Sequence, residues 1–425
     1  MAEHATRDHA VWSASSTNRN VNCPGALALT MDLPETTNEA ADWGTCCHQV
    51  SEKCLRDGTD AAFYLGTTEK GKKFSFEVDD EMAETAQMYV DYVRKRMADY
   101  KAQTGGNAII FVEERFSLAS LKPPFEAGGT ADCVLIFPLW KMMEVIDLKG
   151  GRGVVVEAKG NPQGRSYGLG ALLKHQSAKV RTIMVTIVQP RAGHKDGRIR
   201  SEQIDITDLM EWTTDLTSAM QRSAQALADR EKIGSTVTEA QWAAAHLTAG
   251  DHCKFCKAAG FCPALEQKAL DAAGVWFDDL DQPRISNSPD AMSPEKLASS
   301  LNMLDMISDW INAVRAHAHS QAESGVDIPG YQLVDKIGNR AWKADVTPDT
   351  LASLLSGIGK DPEAAYAPRK PASPAQVEKA LGAKHKTAIA DLVERPARGT
   401  NLVAADKTTR PAATPGAHKH FDILD

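Results

Sequence analysis

The sequence of 425 residues has no apolar run long enough to cross a bilayer, so we do not expect a membrane-spanning helix. Its first nine residues lack the cationic patch and apolar core of a secretory signal, which predicts a cytoplasmic protein. In a reducing compartment its eight cysteines are expected to be thiols or metal ligands rather than disulfides. An excess of basic residues is also missing, because the formal net charge is -8. That balance argues against a protein that coats nucleic acid indiscriminately.

Two stretches depart from this picture. Residues 141–200 carry twelve Lys or Arg against four Asp or Glu, which indicates either a local basic surface or ordinary solvated charge. Residues 66–73 imitate a phosphate-binding loop, but Lys73 stands in the place of the Ser or Thr that ligates magnesium in such loops. We interpret 66–73 as a polar loop and therefore expect neither an ATPase nor a helicase motor.

Hydrophobic periodicity predicts alternating helices and strands in the first half of the chain. The short segment Pro138–Trp140 separates two of the strands and predicts an antiparallel hairpin. The fold is expected to be α/β, with the core order α, β, β, β, α, β. The predicted elements are helices over 37–56 and 81–100, strands over 108–116, 130–137 and 141–148, a helix over 161–174 and a strand over 180–188.

The chain is longer than a single hydrophobic core usually serves, and changes in composition suggest where it divides. Residues 1–278 are predicted to form one large domain. A linker rich in Asp, Ser, Asn and Pro is predicted over 279–293, and a small α-rich domain over 294–394. The remainder, 395–425, is predicted to be a mobile tail.

Two carboxylates and an amine lie on the predicted hairpin. Asp132 is in its first strand, while Asp147 and Lys149 belong to the second, where the Asp-x-Lys spacing puts both side chains on one face. Hard divalent cations prefer oxygen ligands, and a lysine beside them suits the attacking water of phosphodiester hydrolysis. Because Asp-x-Lys also occurs by chance and as a surface ion pair, this motif alone does not decide the function.

The cysteine spacing indicates a second metal site. Cys253, Cys256 and Cys262 form a Cys-x2-Cys-x5-Cys cluster, and Cys23 offers a distant fourth thiolate. By spacing alone, zinc is the safer assignment, since Cys-x2-Cys pairs bind zinc more commonly than iron clusters. The remaining cysteines follow no such pattern and are predicted to be small buried side chains. They are Cys46, Cys47, Cys54 and Cys133.

Taken together, these features resemble the PD-(D/E)XK nuclease superfamily, and within it the RecB-like branch, whose core has the element order given above. That branch carries a metal-binding histidine on an upstream helix, matched by His48, and a glutamate on the first strand, matched by Glu113 with Glu114 beside it. Its helix after the Asp-x-Lys strand carries Gln-x-x-x-Tyr, matched by Gln163 and Tyr167.

The resemblance implies a deoxyribonuclease that depends on Mg²⁺ or Mn²⁺, with α-helical additions to the core and a small α-rich C-terminal region. It also implies a role for each matched residue. Lys149 would position or activate the attacking water, Glu113 would support the metal shell, and Gln163 with Tyr167 would orient Lys149 and the DNA backbone. The implied metal ligands are His48, Asp132, Asp147 and the Leu148 carbonyl.

The cysteines extend the resemblance. RecB-like nucleases of the AddB type and CRISPR-adaptation nucleases place one cysteine before the core and three after it, around a [4Fe-4S] cluster. Cys23 and the three later cysteines show the same split, which implies an iron–sulfur clamp in place of zinc. Such a clamp would tie the two ends of the domain together.

Motifs in the C-terminal half resemble an uncharacterised family of RecB-like proteins from bacteriophages and prophages. This implies a nuclease of phage DNA replication or recombination, more often an exonuclease, with DNA as its partner, no membrane, and a phage single-strand-binding or recombination protein as a further partner. Arg165 and Arg191 are predicted DNA contacts, although a loop turn explains Arg191 equally well. The rival hypotheses are a non-catalytic DNA-binding scaffold and an end-trimming endonuclease within a complex.

Overall fold

The structure, a computed structural model, describes residues 10–34, 37–152, 154–274, 293–333, 347–357 and 362. Of these residues, those up to Ala318 form one compact unit and those from His319 onward form a second. Nearly all of the predicted linker and the whole predicted tail lie outside the described ranges, and the predicted domain boundaries stay predictions. No described helix is both long enough and apolar enough to cross a membrane.

The described part of the chain contains eight strands and ten α-helices. The strands are β1 (Trp12–Ser13), β2 (Thr68–Lys70), β3 (Ser75–Glu77), β4 (Ile109–Ser117), β5 (Ala127–Phe137), β6 (Met142–Leu148), β7 (Thr182–Val188) and β8 (Ile199–Asp205). The helices are α1 (Thr17–Asn22), α2 (Ala26–Thr30), α3 (Glu39–Asp57), α4 (Asp80–Thr104), α5 (Pro162–Lys174), α6 (Ile206–Arg230), α7 (Glu239–His246), α8 (Pro263–Gly274), α9 (Pro294–Glu323) and α10 (Pro348–Gly357).

A mixed six-stranded sheet forms the centre of the first unit. Its path runs β1-β5-β6-β7-β8, and β4 pairs with β5 as well. The β4–β5, β5–β6 and β7–β8 pairs are antiparallel, whereas β6–β7 and the short β1–β5 pair are parallel. The order from α4 to β7 is α, β, β, β, α, β, so the predicted α/β class, the element order and the β5–β6 hairpin are confirmed.

Helices cover both faces of the sheet. Strand residues alternate between two apolar clusters, so that Val134 and Ile136 of β5 belong to one cluster while Leu135 and Phe137 belong to the other. The first cluster includes buried residues of α5 and α6, and the second includes buried residues of α3 and α4. This two-sided burial explains why the central strands read as nearly continuous apolar runs.

Glycine in α5 allows this helix to lie unusually close to the sheet. A Cβ atom added to Gly164 would come within 2.2 Å of Val185 Cγ1 on β7. The Asn161 side chain caps the helix by accepting a hydrogen bond from the Gly164 N–H at 2.9 Å, and Pro162 occupies the first turn. The sequence Asn-Pro-Gln-Gly therefore fixes where α5 begins and how near the strands it packs.

The structure corrects one prediction about a loop. Residues 66–73 are not a simple polar loop, because they contain strand β2. This strand pairs with β3, which follows the segment, in an antiparallel hairpin. The Asp42 carboxylate of α3 holds the turn by accepting the backbone N–H groups of Lys73 at 2.6 Å and Phe74 at 2.8 Å. Sequence inspection missed the hairpin because its stabilising partner lies about thirty residues earlier in the chain.

Candidate metal centre

The site begins where β5 and β6 separate. Their last paired residues are Cys133 and Ile146, and beyond this pair the Asp132 carboxylate takes over the role of a strand partner. Its Oδ2 atom accepts the Leu148 backbone N–H at 2.8 Å. The separation opens the sheet beside Asp132, and the carboxylate satisfies the backbone donor that the separation would otherwise leave unpaired.

Glu113 lies at the same place, at an interruption in the pairing of β4 with β5. Val112 pairs with Cys133 and Glu114 pairs with Ala131, so Glu113 and Asp132 stand opposite each other, one residue on each strand, without pairing. Its φ of 54° lies in the left-handed region, which is unfavourable for a glutamate. The two neighbouring glutamates have different partners, since Glu114 lies 2.8 Å from Lys174 and 2.9 Å from His175.

His48 completes a group of three possible ligands. It lies in the middle of α3, and its Nδ1 is 3.3 Å from Asp132 Oδ2. One ligand atom each from His48, Glu113 and Asp132 lies within 4.8 Å of the other two. Three elements that are distant in sequence therefore bring an imidazole and two carboxylates together, but the second carboxylate is that of Glu113, whereas the sequence-based prediction put Asp147 on the metal and Glu113 in a supporting role.

A second group of polar side chains adjoins the first through β6. Lys149 Nζ lies 2.9 Å from Asp147 Oδ2 and donates to Gln163 Oε1 at 3.1 Å. Gln163 Nε2 in turn donates to Tyr167 Oη at 2.6 Å. The predicted Asp-x-Lys pair and the Gln-x-x-x-Tyr pair are thus joined in one chain of contacts. Asp147 is not in the group of three, and its nearest charged partner is the lysine.

The two groups influence each other electrostatically. Burial alone would lower the pKa of His48, but the charges of Asp132 and Asp147 outweigh it and raise this pKa to about 9. Burial and the nearby Asp132 charge raise the pKa of Glu113 to about 7. Burial raises the pKa of Asp147 despite the attraction of Lys149, and Asp147 raises the pKa of Lys149 against burial.

The donor set of the first group fits a hard divalent cation. Mg²⁺ holds its octahedral ligands at about 2.1 Å, so neighbouring ligand atoms are about 3 Å apart and opposite ones about 4 Å apart. The 3.3 Å between His48 and Asp132 and the 4.8 Å limit on the group lie close to that range. A nitrogen among carboxylate oxygens also suits Mn²⁺.

The two arginines predicted to contact DNA already have protein partners. Arg165 forms an ion pair with Glu202 at 2.8 Å. Arg191 lies over the Trp43 ring, 3.7 Å from its centroid, and donates to the Gly150 carbonyl at 2.8 Å. The partners Trp43 and Glu202 are far away in sequence, which is why their contacts were not predicted.

A different arginine borders the nearest large cleft. This cleft, of about 810 Å³, lies between the start of β5, the end of β4 and the segment after β1, and it includes Arg115 and Tyr167 in its lining. Arg115 pairs with Thr130 in the sheet, two residues beyond Glu113 on the same strand. Arg115 is exposed. Neither Arg115 nor this cleft was predicted from the sequence, which offered only an isolated charge at this position.

The loop between Lys149 and α5 is held by two buried side chains that were also missed. Gln189 accepts the Val156 N–H at 3.0 Å and donates to the Val154 carbonyl at 2.6 Å. Arg200 donates to the Val156 carbonyl and to Gln189 Oε1, both at 2.6 Å. These contacts fix the segment that separates Lys149 from Gln163. The only sequence signal was a glutamine directly after a β-branched strand.

The four predicted metal-binding cysteines surround one pocket. Cys23, Cys253, Cys256 and Cys262 all line it, together with Arg19 and His252. The Thr248 N–H donates to Cys23 Sγ and the Gly250 N–H donates to Cys253 Sγ, each at 3.4 Å. The sequence therefore identified correctly which cysteines lie together. The other four are buried, as predicted.

Close backbone packing joins the two ends of this cysteine region. Gly25 donates its N–H to the His246 carbonyl at 2.8 Å, and a Cβ atom on Gly25 would lie 2.7 Å from the Leu247 side chain. Only glycine fits at this crossing without displacement of a neighbour. The segment after α1 is thereby fastened to the segment after α7, more than two hundred residues later.

The sulfur positions bear on which metal group the cysteines suit. Zinc binds thiolates at about 2.3 Å in a tetrahedron, which requires sulfur atoms about 3.8 Å apart. Among the described histidine, cysteine and acidic residues, the one group of three with ligand atoms within 4.8 Å is that of His48, Glu113 and Asp132. No three of the four sulfur atoms therefore lie within 4.8 Å of one another, so their positions in this structure do not form a zinc tetrahedron.

A family model described as "Protein of unknown function (DUF2800)" matches residues 9–411 of the chain. Among solved structures, the chain is similar to one described as "Crystal structure of SSO0001". The two are 13% identical, and the match covers 59% of this chain and 95% of that chain with a TM-score of 0.21. At this TM-score the likeness supports no argument about fold or function.

Proposed function

This chain belongs to the DUF2800 family, and we propose that it is a metal-dependent deoxyribonuclease with a PD-(D/E)XK core of the RecB-like kind. One observation carries the proposal. His48, Glu113 and Asp132 converge within 4.8 Å, next to an ion pair between the buried Asp147 and the half-buried Lys149 that is itself oriented by Gln163 and Tyr167. An ordinary surface ion pair does not require neighbouring ligands or orienting hydrogen bonds. Phosphodiester hydrolysis requires a cation site beside a positioned amine.

Each side chain has a defined task in this proposal. A bound Mg²⁺ or Mn²⁺, held by His48, Glu113 and Asp132, would act as a Lewis acid toward the scissile phosphate. Lys149 stays charged beside Asp147 and holds the attacking water or the phosphate by a hydrogen bond from Nζ. Gln163 limits the positions open to that amine, since Gln163 is itself held by Tyr167. Asp147 and the Leu148 carbonyl remain further candidate ligands.

The cleft bordered by Arg115 supports DNA as the substrate. It shares Tyr167 with the chain of contacts that ends at Lys149, so a strand lying in the cleft passes next to the proposed centre. An exposed guanidinium suits a phosphate of the DNA backbone. We therefore assign the role of phosphate contact to Arg115 rather than to Arg165 or Arg191, whose guanidinium groups have protein partners.

We propose a [4Fe-4S] cluster at the four cysteines, with zinc as the alternative. The cluster is supported by the split of one cysteine before the core and three after it, all lining one pocket, and its thiolates bind four different iron atoms rather than one shared ion. Two sulfur atoms also accept backbone N–H bonds, which favour thiolates. The cluster would tie the first and last parts of the nuclease domain together. Such a nuclease would act on phage DNA in the host cytoplasm.

The proposal is tested by cleavage of end-labelled linear and closed circular DNA with Mn²⁺. Lys149→Ala should reduce cleavage at least about a hundredfold, the scale expected for a group that acts on the attacking water, without loss of the fold or of DNA binding. Lys95→Ala is the matched control, because Lys95 is exposed on α4 and pairs with Asp99. Full cleavage by Lys149→Ala would refute the proposed mechanism, and cleavage of linear DNA alone would identify an exonuclease.

A further inference from the structure

Tyr89 of α4 is a buried residue with an unexplained hydroxyl group. The residue is 2% exposed, and its Oη atom has no hydrogen-bond partner among the described residues. Leaving a buried hydroxyl unpaired costs free energy, so native proteins rarely do it without a further partner such as water or an ion.

Four other tyrosines, three of them buried and Tyr92 half-buried, show that this chain usually provides such partners. Their hydroxyl groups contact a carboxylate, an amide or a backbone N–H group, and no two of them use the same partner. The contacts are Tyr64 to Asp57 at 2.8 Å, Tyr92 to Glu144 at 2.7 Å, Tyr100 from the Leu139 N–H at 3.0 Å and Tyr167 from Gln163 at 2.6 Å.

The position of Tyr89 indicates what its partner is. Tyr89 lines the same small pocket as His48, Glu113 and Asp132. The rest of the wall consists of Ser51, Glu52, Leu55 and Val112, none of which gives the Tyr89 hydroxyl a hydrogen bond. A hard cation takes about six ligands, so three protein side chains leave positions that oxygen atoms of water must fill. A cation at this site would therefore bring hydrogen-bond acceptors into the pocket that Tyr89 borders.

We propose that Tyr89 is a positioning residue of the metal centre, whose hydroxyl group donates a hydrogen bond to an oxygen atom in the ligand shell of the bound cation. The acceptor is a metal-bound water molecule or a Glu113 carboxylate oxygen. This inference rests on the proposed metal centre. Groups that bond to metal ligands fix their orientation, and their loss typically weakens metal binding about 10- to 100-fold.

The alternative is that Tyr89 only fills the core between α4 and the sheet. Its spacing within α4 is that of a core residue, and its neighbours Ala86, Val90 and Val93 are all buried. The two views differ in what the oxygen atom does. If Tyr89 only fills the core, its hydroxyl oxygen has no hydrogen-bond partner with or without metal. If Tyr89 positions the metal centre, this oxygen gains a partner when the cation binds.

The experiment compares Mn²⁺ binding by the full-length wild type and by Tyr89→Phe, using the electron paramagnetic resonance signal of free Mn²⁺. We expect a dissociation constant about tenfold higher for Tyr89→Phe. Its melting temperature without metal should not fall, because the lost oxygen had no partner, but the rise in melting temperature on adding Mn²⁺ should shrink. Tyr92→Phe is the matched control on the same helix: its metal-free melting temperature should fall while its Mn²⁺ affinity stays at the wild-type value.

The outcomes separate this inference from the proposed function. If wild type and His48→Ala bind Mn²⁺ equally weakly, the metal centre itself is wrong. If wild type binds and His48→Ala does not, but Tyr89→Phe binds as tightly as wild type, the role of Tyr89 alone is refuted. Failure of Tyr89→Phe to fold would also refute it, because the hydroxyl would then contribute to the metal-free structure.

Discussion

Metal binding at the His48 site should release protons, and the number released should depend on pH. With a pKa of about 9, His48 is almost fully protonated at pH 7, and Glu113, with a pKa of about 7, is half protonated. A cation binds only the neutral imidazole and the ionised carboxylate. Binding should therefore release about two protons at pH 6, about 1.5 at pH 7 and about one at pH 8.

Proton release sets the size of the pH effect on affinity. Adding the contributions of both groups between pH 6 and pH 8 gives an increase in apparent Mn²⁺ affinity of about a thousandfold. The stability of the metal-free protein changes with pH in the opposite sense, falling as the pH rises. Both groups have pKa values above those of the unfolded chain, so their stabilising contribution is fully present below about pH 4.5 for Glu113 and about pH 6.5 for His48. It is lost as the pH rises through 7 and then 9.

Isothermal titration calorimetry in two buffers of different ionisation enthalpy measures the released protons directly. Glu113→Gln cannot release the second proton, so at pH 6 its release should fall from about two protons to about one. The reasoning is refuted if wild type releases fewer than about half a proton at pH 7, or if its Mn²⁺ affinity is the same at pH 6 and pH 8.

Two further predictions concern DNA and the cysteines. Arg115→Ala should weaken DNA binding and should reduce the slope of log affinity against log salt concentration by about one, because one phosphate contact is lost. Arg165→Ala should leave that slope unchanged. Filter binding over a salt series would measure both slopes. Cys256→Ser should remove the iron and the visible absorption of anaerobically purified protein, whereas Cys46→Ala should keep both; equal iron content in the two variants would contradict the cluster.

Residue patterns predicted the parts of the site that depend on local order. The helices and strands that carry His48, Asp132, Asp147 and Lys149 follow from hydrophobic spacing, and their convergence follows from the order of those elements. The interruption of the β4–β5 pairing at Glu113 does not follow. Adjacent residues of a strand point to opposite faces, but the sequence does not say which of the two glutamates lies beside Asp132, and only the folded structure places Glu113 there and Glu114 next to Lys174 and His175.

Contacts between distant segments account for the remaining differences. Arg191 looked like an exposed cation after a strand, but it packs on Trp43, almost one hundred and fifty residues earlier. The charge count of residues 141–200 therefore overestimated the basic surface, because Arg165 and Arg200 in that stretch also have protein partners. A charge count predicts attraction to DNA only for groups that remain exposed, and exposure is a property of the folded chain.

The charges of the half-buried site indicate how protons would exchange for a cation in the proposed metal centre. Without metal, the imidazolium of His48 and the ammonium of Lys149 balance Asp132 and Asp147, while Glu113 is largely neutral below pH 7. With a divalent cation, the neutral imidazole and three carboxylates face the cation and the same lysine. Both states sum to zero, as a site of low dielectric constant requires. In the proposed metal centre, the protons that His48 and Glu113 hold without metal would thus give way to the two charges of the cation.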